Sequence, residues 1–438
     1  MLQHRHQGPS NRNYGWPEDD EHEDNALLPF RFTHINRSGG DMRHVAIIGG
    51  GIAGPATALA LRKAGIDATV YEAYPTPADG IGGTLALAPN GMAALEIIGT
   101  ADAVKSVAQP SSRMVMTVAS RKRMELPVLS DAGPLFVVRR ADLYRTLHDE
   151  AVRQGITIEY GKRLVGVEHT TAVFDDGSRA GFDVLVGADG IHSTVRRLID
   201  PNAPGPKWTG MLGLEGLSPH AVPEDPQTMV FAYGRRGYYL YWPAAGGGTT
   251  WGANLPYHRP LTLLQAREIS TEEWMRKLGD TYGDDVPGAD LIRHTPPESL
   301  QVMGALYIMP SVPRWHRDRM VLVGDAAHAP SNSSGQGASL SIESAIQLAR
   351  CLRDVEDVPQ AFATYERLRR ARVEKIAARA SKINHSKTPG PVAQTLMPIL
   401  MPLMVKTVMN PERTMGPEQR YRIQWDAPAT RDPLLVEV

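Results

Sequence analysis

The 438-residue chain has a single cysteine, Cys351, so it cannot form an intramolecular disulfide. A chain of this size without disulfides depends on its hydrophobic core and suits a reducing compartment, which makes the cytoplasm the expected location. Cys351 sits in the apolar helical stretch AIQLARCL, where packing is expected rather than thiol chemistry. Charge of one sign is also missing. Lys and Arg number 47 against 48 Asp and Glu, a formal net charge of −1, so no global field draws the protein to nucleic acid or an anionic membrane. No apolar run is long enough for a stable membrane span. The best, PVAQTLMPILMPLMVKTVM (391–409), is interrupted by Pro398 and Pro402 and carries Lys406, so it is expected to pack on the body or cover a pocket. No spacing of His, Cys and acids suits a metal, and no nucleophile elbow supports a Ser-His-Asp triad.

What is present reads as α/β, in more than one core. Residues 1–41 are polar, acidic and Pro-containing and are expected to be a disordered extension, with Met42 as the expected start of the folded part. HVAII (His44–Ile48) predicts a buried parallel strand, Ile52–Ala64 a helix stopped by Gly65, and ATVYE (Ala68–Glu72) the next strand, together a βαβ unit. RADLYRTLHDEAVRQG predicts a second helix, ITIEY a strand, AVFDDGSRAGF a hairpin turning at Asp176-Gly177, and DVLVGADG another buried strand. From about Pro201 the chain becomes richer in Pro, Gly, Tyr and Trp. MVFAYGRRGYYLYWPAAGGGTTWGANLP predicts two strands around a Gly-rich turn, and RMVMTVASRKRMELPV a hairpin of the same sheet. A long helical stretch is expected from Ser344 to about Asn384. The expected division is a discontinuous Rossmann-like domain (42–118, 133–205 and 301–375), a mixed β-sheet domain inserted into it (119–132 and 206–300) and a helical C-terminal segment (376–438).

Three strand ends carry the chemistry. GGGIAG places Gly49, Gly51 and Gly54 in G-x-G-x-x-G spacing, followed by Ile52 and Ala53 at a helix start. The first glycine permits the tight turn, the second lets a diphosphate approach the backbone, and the third lets helix and strand pack closely. The helix N-terminus offers free N–H groups to that anion. Glu72 ends the second strand about twenty residues on, where an acid binds ribose hydroxyls. These residues leave FAD and NAD both open. VLVGADGIHSTVR ends a strand in Asp189-Gly190 and starts a helix with Ser193 as N-cap. VLVGDAAHAPSNSSGQGASLSIESA repeats that logic. Asp325 is placed to bind a polyol, Gly335 and Gly337 present backbone N–H groups, and a helix beginning near Ala338 aims its positive end at the ligand.

With GGTLALAPNGMAALEIIG, VVRRADL and VPRWHRDRMVLVGDAAH, these motifs resemble the FAD-dependent aromatic hydroxylases, the single-component flavoprotein monooxygenases of the para-hydroxybenzoate hydroxylase type, over roughly residues 43–430. The overall tone resembles bacterial tailoring enzymes of secondary metabolism. The resemblance implies non-covalent FAD, NADPH or NADH as transient co-substrate, O2, and a small aromatic or polycyclic substrate oxygenated through a flavin C4a-hydroperoxide. It implies that Gly49, Gly51 and Gly54 receive the FAD diphosphate, Glu72 the adenosine ribose and Arg140 the ribityl-diphosphate region. Asp189 would serve FAD and NAD(P)H, Asp325 the ribityl chain, and Gly335 and Gly337 the flavin ring. His192 and His328 are expected in loop or packing roles. Relatives commonly have proline where Ser331 and Asn332 stand, and often Asp where Ser344 stands, so the loop is expected to be looser or Asn332 to touch flavin or substrate. Tyr238, Leu240 and Trp242 share one strand face, Tyr239 and Tyr241 the other. Leu240, Trp242 and Asn332 are the substrate candidates, with the face left open. No catalytic protein group is assigned. The residues leave open hydroxylation against epoxidation, Baeyer–Villiger oxygenation or reduction, a flavin-binding protein without turnover, and the oligomeric state.

Overall fold

Five residues, His44–Ile48, form strand β1, and all but the first are buried. In the computed structural model, which describes residues 44–77, 82–118, 122–127, 129, 131–385 and 411–435, this strand lies in a six-stranded sheet. The expectations for residues 1–41 and 391–409 concern segments outside the described residues. The strands fall, in chain order, as β2 (Asp67–Tyr71), β3 (Arg113–Val118), β4 (Lys122–Leu126), β5 (Thr157–Glu159), β6 (Val184–Gly187), β7 (Lys207–Ser218), β8 (Thr228–Tyr233), β9 (Tyr238–Pro243), β10 (Thr249–Pro256), β11 (Gln301–Ile308), β12 (His316–Arg317) and β13 (Met320–Leu322). Two three-stranded sheets accompany them, one holding Thr84–Leu87, Gln109–Ser111 and Leu135–Arg139, the other the hairpin that turns at Gly177.

The first large sheet has the order β12-β13-β6-β1-β2-β5, parallel except at β12. Its Val- and Ile-rich strands are buried on both faces, as parallel strands covered by helices must be. Helices α1 (Ala53–Lys63), α2 (Pro89–Ile97), α3 (Arg140–Arg153), α4 (Thr194–Ile199) and the long α6 (Gly337–Asp354) flank or abut this lobe. Cys351 lies in its core, and burial pushes the thiol up to about 12, which fits the packing role.

The second large sheet has the order β11-β7-β10-β9-β8-β3-β4 and is antiparallel except where β3 runs beside β8. Helix α5 (Thr271–Tyr282) covers one face, with Trp274, Leu278 and Tyr282 against Leu212, Tyr239, Tyr241 and Trp251. The other face turns toward the first lobe, where Trp242 and Met229 pack on Val137 of the strand Leu135–Arg139.

Three expectations need correction. The aromatic segment forms three strands, because Gly234-Arg-Arg-Gly237 closes a tight turn (Gly234 N–H to Gly237 O, 2.9 Å) besides the one at Gly246–Gly248. The helix expected from Ser344 to Asn384 is two, α6 and α7 (Val358–His385). Val355 is extended, and Asp357 restarts the chain by accepting the Gln360 N–H (2.9 Å). The boundaries at 119 and 300 cut the second sheet. Its strand β3 enters at Arg113, in register with Thr228, and β11 continues past 300 along β7 to Ile308. The described residues form one compact unit, so the two sheets are lobes of one body.

Candidate active site

The sheet order explains why three motifs far apart in sequence meet. Neighbouring strands β13, β6, β1 and β2 end at the same carboxyl edge, so Asp325, Asp189, the glycine loop and Glu72 leave it side by side. Hydrogen bonds hold the loops there: Gly49 N–H to Tyr71 O (2.8 Å), Ala188 N–H to Ile48 O (2.8 Å) and Val323 N–H to Gly187 O (3.0 Å). Arg196 of α4 adds a buried tie, donating to Ala326 O (3.0 Å) and Ile191 O (2.7 Å), so the second and third motifs share one guanidinium.

The three glycines have different reasons. Gly49 adopts φ +104°, and a Cβ there would stand 2.5 Å from Ala188 O. At Gly54 it would stand 2.0 Å from Gly49 O. The fold itself therefore excludes side chains at both. At Gly51 the nearest atom is Arg140 Nη2, at 3.6 Å, so the protein leaves open the space a ligand backbone approach requires. Ile52 is the N-cap of α1 and Ala53 its first residue. No side chain caps this end and no acid lies in its first turn, so its N–H groups and positive pole face outward. Glu72 shapes the loop, accepting Gly50 N–H at Oε2 (2.6 Å) and Tyr74 N–H at Oε1 (2.9 Å), and each oxygen keeps lone-pair capacity for a hydroxyl. Arg140 opens α3 with its N–H on Gly83 O (3.0 Å) and its guanidinium beside Gly51.

Asp189 does something the sequence reading did not expect of it. Its carboxylate accepts Thr194 N–H (2.7 Å), Val195 N–H (3.1 Å) and the Ser193 hydroxyl, so it caps α4, while its backbone backs Gly49. Burial raises its pKa and these bonds oppose the shift. Ser193 is the N-cap as expected, accepting Arg196 N–H (2.9 Å). Ser193→Ala should lower stability by about 1 kcal/mol, read as a fall in Tm.

Asp325 is exposed to solvent yet recessed among protein atoms. Lost hydration pushes its carboxyl up to about 6, against the opposing charge of Arg140. Gly324, with φ +57°, lies against Ala53 and Ser341, so this turn wedges between the starts of α1 and α6. Gly335 is left-handed (φ +60°) and Gly337 begins α6. Nothing lies within 4 Å of a Cβ at either, so a ligand has room to approach the backbone there, with the Gly335 N–H itself donated to Asn332 O (3.2 Å).

A buried network that sequence reasoning missed holds this loop. Asn90 of α2 donates to Gln336 Oε1 (2.9 Å) and Glu343 Oε1 (2.7 Å), and Arg369 and Arg372 of α7 bind the same Glu343 (2.6 and 2.8 Å). Burial alone would raise the Glu343 carboxyl, but the two guanidiniums outweigh it and hold it at about 2. His328 lies beside this network with Nε2 on Ser344 Oγ (2.8 Å). Burial, then the Arg369 charge, push it down to about 3, so it is neutral and packs against Trp315. His192 is exposed, its ring edge-on to Tyr307.

Asn332 is exposed, and its Nδ2 donates to Oδ1 of Asn254 on β10 (3.1 Å), joining the third motif to the second sheet. This contact and the Trp242–Val137 packing turn the Tyr238, Leu240, Trp242 face toward the cofactor edge, whereas Tyr239 and Tyr241 lie under α5. Leu240 is half-buried there and Trp242 is buried. No signal in the sequence singled out Asn254, an asparagine within a strand.

The FAD binding domain family matches residues 42–380. The chain belongs to that family. A 3-amino-4-hydroxybenzoate 2-monooxygenase of Streptomyces platensis is 30% identical over 373 residues, covering 81% of this chain and 90% of that protein. An FAD-dependent urate hydroxylase of Klebsiella pneumoniae is 29% identical over 357 residues, covering 78% and 90%. Among solved structures, Klebsiella pneumoniae HpxO complexed with FAD and uric acid superimposes with a TM-score of 0.73 at 23% identity, over 86% of this chain and 96% of that one, a likeness of fold. As a member of this family the protein is an FAD-dependent oxidoreductase of the aromatic hydroxylase type. Its residues fit the cofactor: an uncrowded Gly51 before a free helix end for the diphosphate, an exposed carboxylate for the ribityl hydroxyls, and open backbone at Gly335 and Gly337. Among the described residues no group of three or more His, Cys, Asp or Glu could hold a metal, and no helix is long and apolar enough to cross a membrane.

Proposed function

We propose that this enzyme adds one oxygen atom from O2 to an aromatic small molecule, with NADPH or NADH as electron donor, in the cytoplasm. The observation that carries the reading is the meeting of three motifs at one sheet edge opposite an apolar sheet face, joined by the Asn332–Asn254 bond. The activities for which the relatives are named, on an aminohydroxybenzoate and on urate, support an aromatic substrate. Bound at the edge, FAD supplies the redox and oxygen chemistry. The protein's part is to bind and orient. Gly49, Gly51, Gly54 and the start of α1 hold the diphosphate, Glu72 the ribose, Asp325 the ribityl chain, and Gly335 and Gly337 the ring. Asp189 sets the second loop by capping α4, and its backbone supports Gly49. The sheet face carrying Leu240 holds the substrate and keeps water out. Purified holoenzyme screened for NAD(P)H oxidation against phenols and polycyclic aromatics should show stimulation by a subset. A rate that no aromatic changes, with NADH or NADPH, would refute an aromatic substrate.

The loop that departs from its relatives gives a further test. Ser331 is extended (φ −53°, ψ 146°) and Asn332 opens a short 3-10 turn, so the backbone accepts proline at 332. Asn332→Pro keeps the loop but removes the amide that reaches Asn254. FAD content should be unchanged, while hydrogen peroxide released per NAD(P)H rises roughly two- to tenfold, the equivalent of one lost hydrogen bond. An unchanged peroxide yield under saturating substrate would show that the bridge does not guard the site.

A further inference from the structure

The inner face of the second sheet has an unusual polar pattern. Three contacts identify it as the face toward the cofactor edge: Thr84 on Glu215, Asn332 on Asn254 and Val137 on Trp242. Over Met211–Ser218 of β7 and through β10, β9, β8 and β3, strand alternation brings no Lys, Arg or His onto it. It is mostly apolar, with Met116, Phe231 and Leu240 beside the uncharged Tyr233, Tyr238 and Thr250.

Two of the polar side chains in this surface, Glu215 and Asn254, stand at opposite corners of a two-by-two block. Glu215 pairs with Gly252 and Gly213 with Asn254, so acid and amide lie on one diagonal and glycines on the other. The diagonal separation in such a ladder is about 7–8 Å. At the Gly252 corner only ordinary contact with Leu240 (3.6 Å from a Cβ position) limits the space, which leaves room for the edge of a flat ring. At the Gly213 corner Leu306 and Met303 come within 3.1 and 3.2 Å of a Cβ position, so a ring reaching across to it must displace Met303, whose unbranched chain is adaptable.

Glu215 is half-buried. Its Oε2 accepts Thr84 N–H and its Oε1 the Thr84 hydroxyl, both at 2.8 Å, leaving one lone pair on each oxygen. Burial raises its pKa, which those bonds and then Arg139 oppose. Arg139 is exposed and also faces Asp142 at 3.9 Å, and no salt bridge reaches Glu215 among the described residues. Two residues before Thr84, Gly82 lies against Arg140, the side chain beside Gly51, so the acid belongs to the cofactor neighbourhood. Asn254 is 4% exposed. Its Oδ1 is taken by Asn332, and its Nδ2 has no partner among the described residues.

We propose that Glu215 and Asn254 select an un-ionised aromatic that presents an O–H or N–H to Glu215 and a neutral acceptor to Asn254, and that this face rejects aromatic carboxylates. This rests on the reading above that the substrate lies between this face and the cofactor. An anion would enter without a cation from these five strands and with a carboxylate beside it, and one amide donor does not neutralise it.

The test uses holoenzyme and a matched pair, a hydroxynaphthoic acid and its methyl ester, with Kd read from the change in flavin absorbance. The ester should bind at least about tenfold more tightly. Glu215→Gln keeps the clamp, since its carbonyl accepts Thr84 N–H and its amide donates to the Thr84 hydroxyl. FAD content and Tm should hold while the acid-to-ester ratio of Kd falls by about tenfold. Equal binding of acid and ester by the wild type, an unchanged ratio in Glu215→Gln, or binding of neither compound would overturn the assignment. Preferential ester binding with no aromatic stimulating NAD(P)H oxidation would refute the oxygenation reading and leave this one standing.

Discussion

Gly51→Val should yield a folded protein without bound flavin. A Cβ at Gly51 stands 3.6 Å from the mobile end of Arg140, an ordinary contact, so the apoprotein has room for the new side chain. The space it fills is where the FAD diphosphate must approach the backbone. Overpacking of roughly 1–3 kcal/mol at that contact raises the FAD Kd by about 5- to 150-fold. Gly54→Ala is the opposite case. Its Cβ would lie 2.0 Å from Gly49 O, so the cost falls on the fold, and apoprotein Tm should drop before cofactor is considered. Flavin content and apoprotein Tm, measured together, separate the two. A yellow Gly51→Val protein with wild-type affinity would remove the diphosphate from this loop.

Asp325 should trade stability for binding. Its carboxyl is raised from 3.8 to about 6 by lost hydration. Below 3.8 folded and unfolded chains both hold the proton and the group contributes nothing. Between 3.8 and about 6 the folded chain keeps a proton that the unfolded chain has released, so stability falls as pH rises. Above about 6 both forms are ionised and the folded apoprotein bears the full cost. Asp325→Asn should therefore make the apoprotein more stable than wild type at neutral pH, with the gain vanishing in acid below 3.8. The acceptors lost to the ribityl hydroxyls should weaken FAD by roughly 1–3 kcal/mol, or about 5- to 150-fold. Denaturation of apoprotein across pH and flavin titration check the two halves. A less stable Asp325→Asn apoprotein at neutral pH would show that the carboxylate serves the fold.

Much of the cofactor edge could be read from the chain because each part is local. HVAII and VLVG announce buried parallel strands, the glycines and Ser193 announce turn and cap, and parallel topology brings the strand ends together. What escaped depends on partners remote in sequence. Asn90 meets Gln336 and Glu343 across 246 and 253 residues, and nothing near Asn90 marks it. The Asp189 carboxylate turned to its own helix, since a strand-end acid followed by Ser-Thr can cap as readily as it can bind a ligand. The turn at Gly234–Gly237 was hidden by Arg-Arg, which is no turn signature. The substrate face was undecidable because aromatics occupy both sides of β9. The choice is made by α5 covering one side, and α5 lies beyond the strand's own pattern.

The most direct measurement is product mass after turnover in isotopically labelled dioxygen, with holoenzyme, NADH or NADPH, and whichever aromatic stimulates oxidation. The expected product is the substrate plus one oxygen atom carrying the label. Unlabelled product, or stimulated NAD(P)H consumption recovered entirely as hydrogen peroxide for every aromatic tried, would contradict the assignment as a monooxygenase.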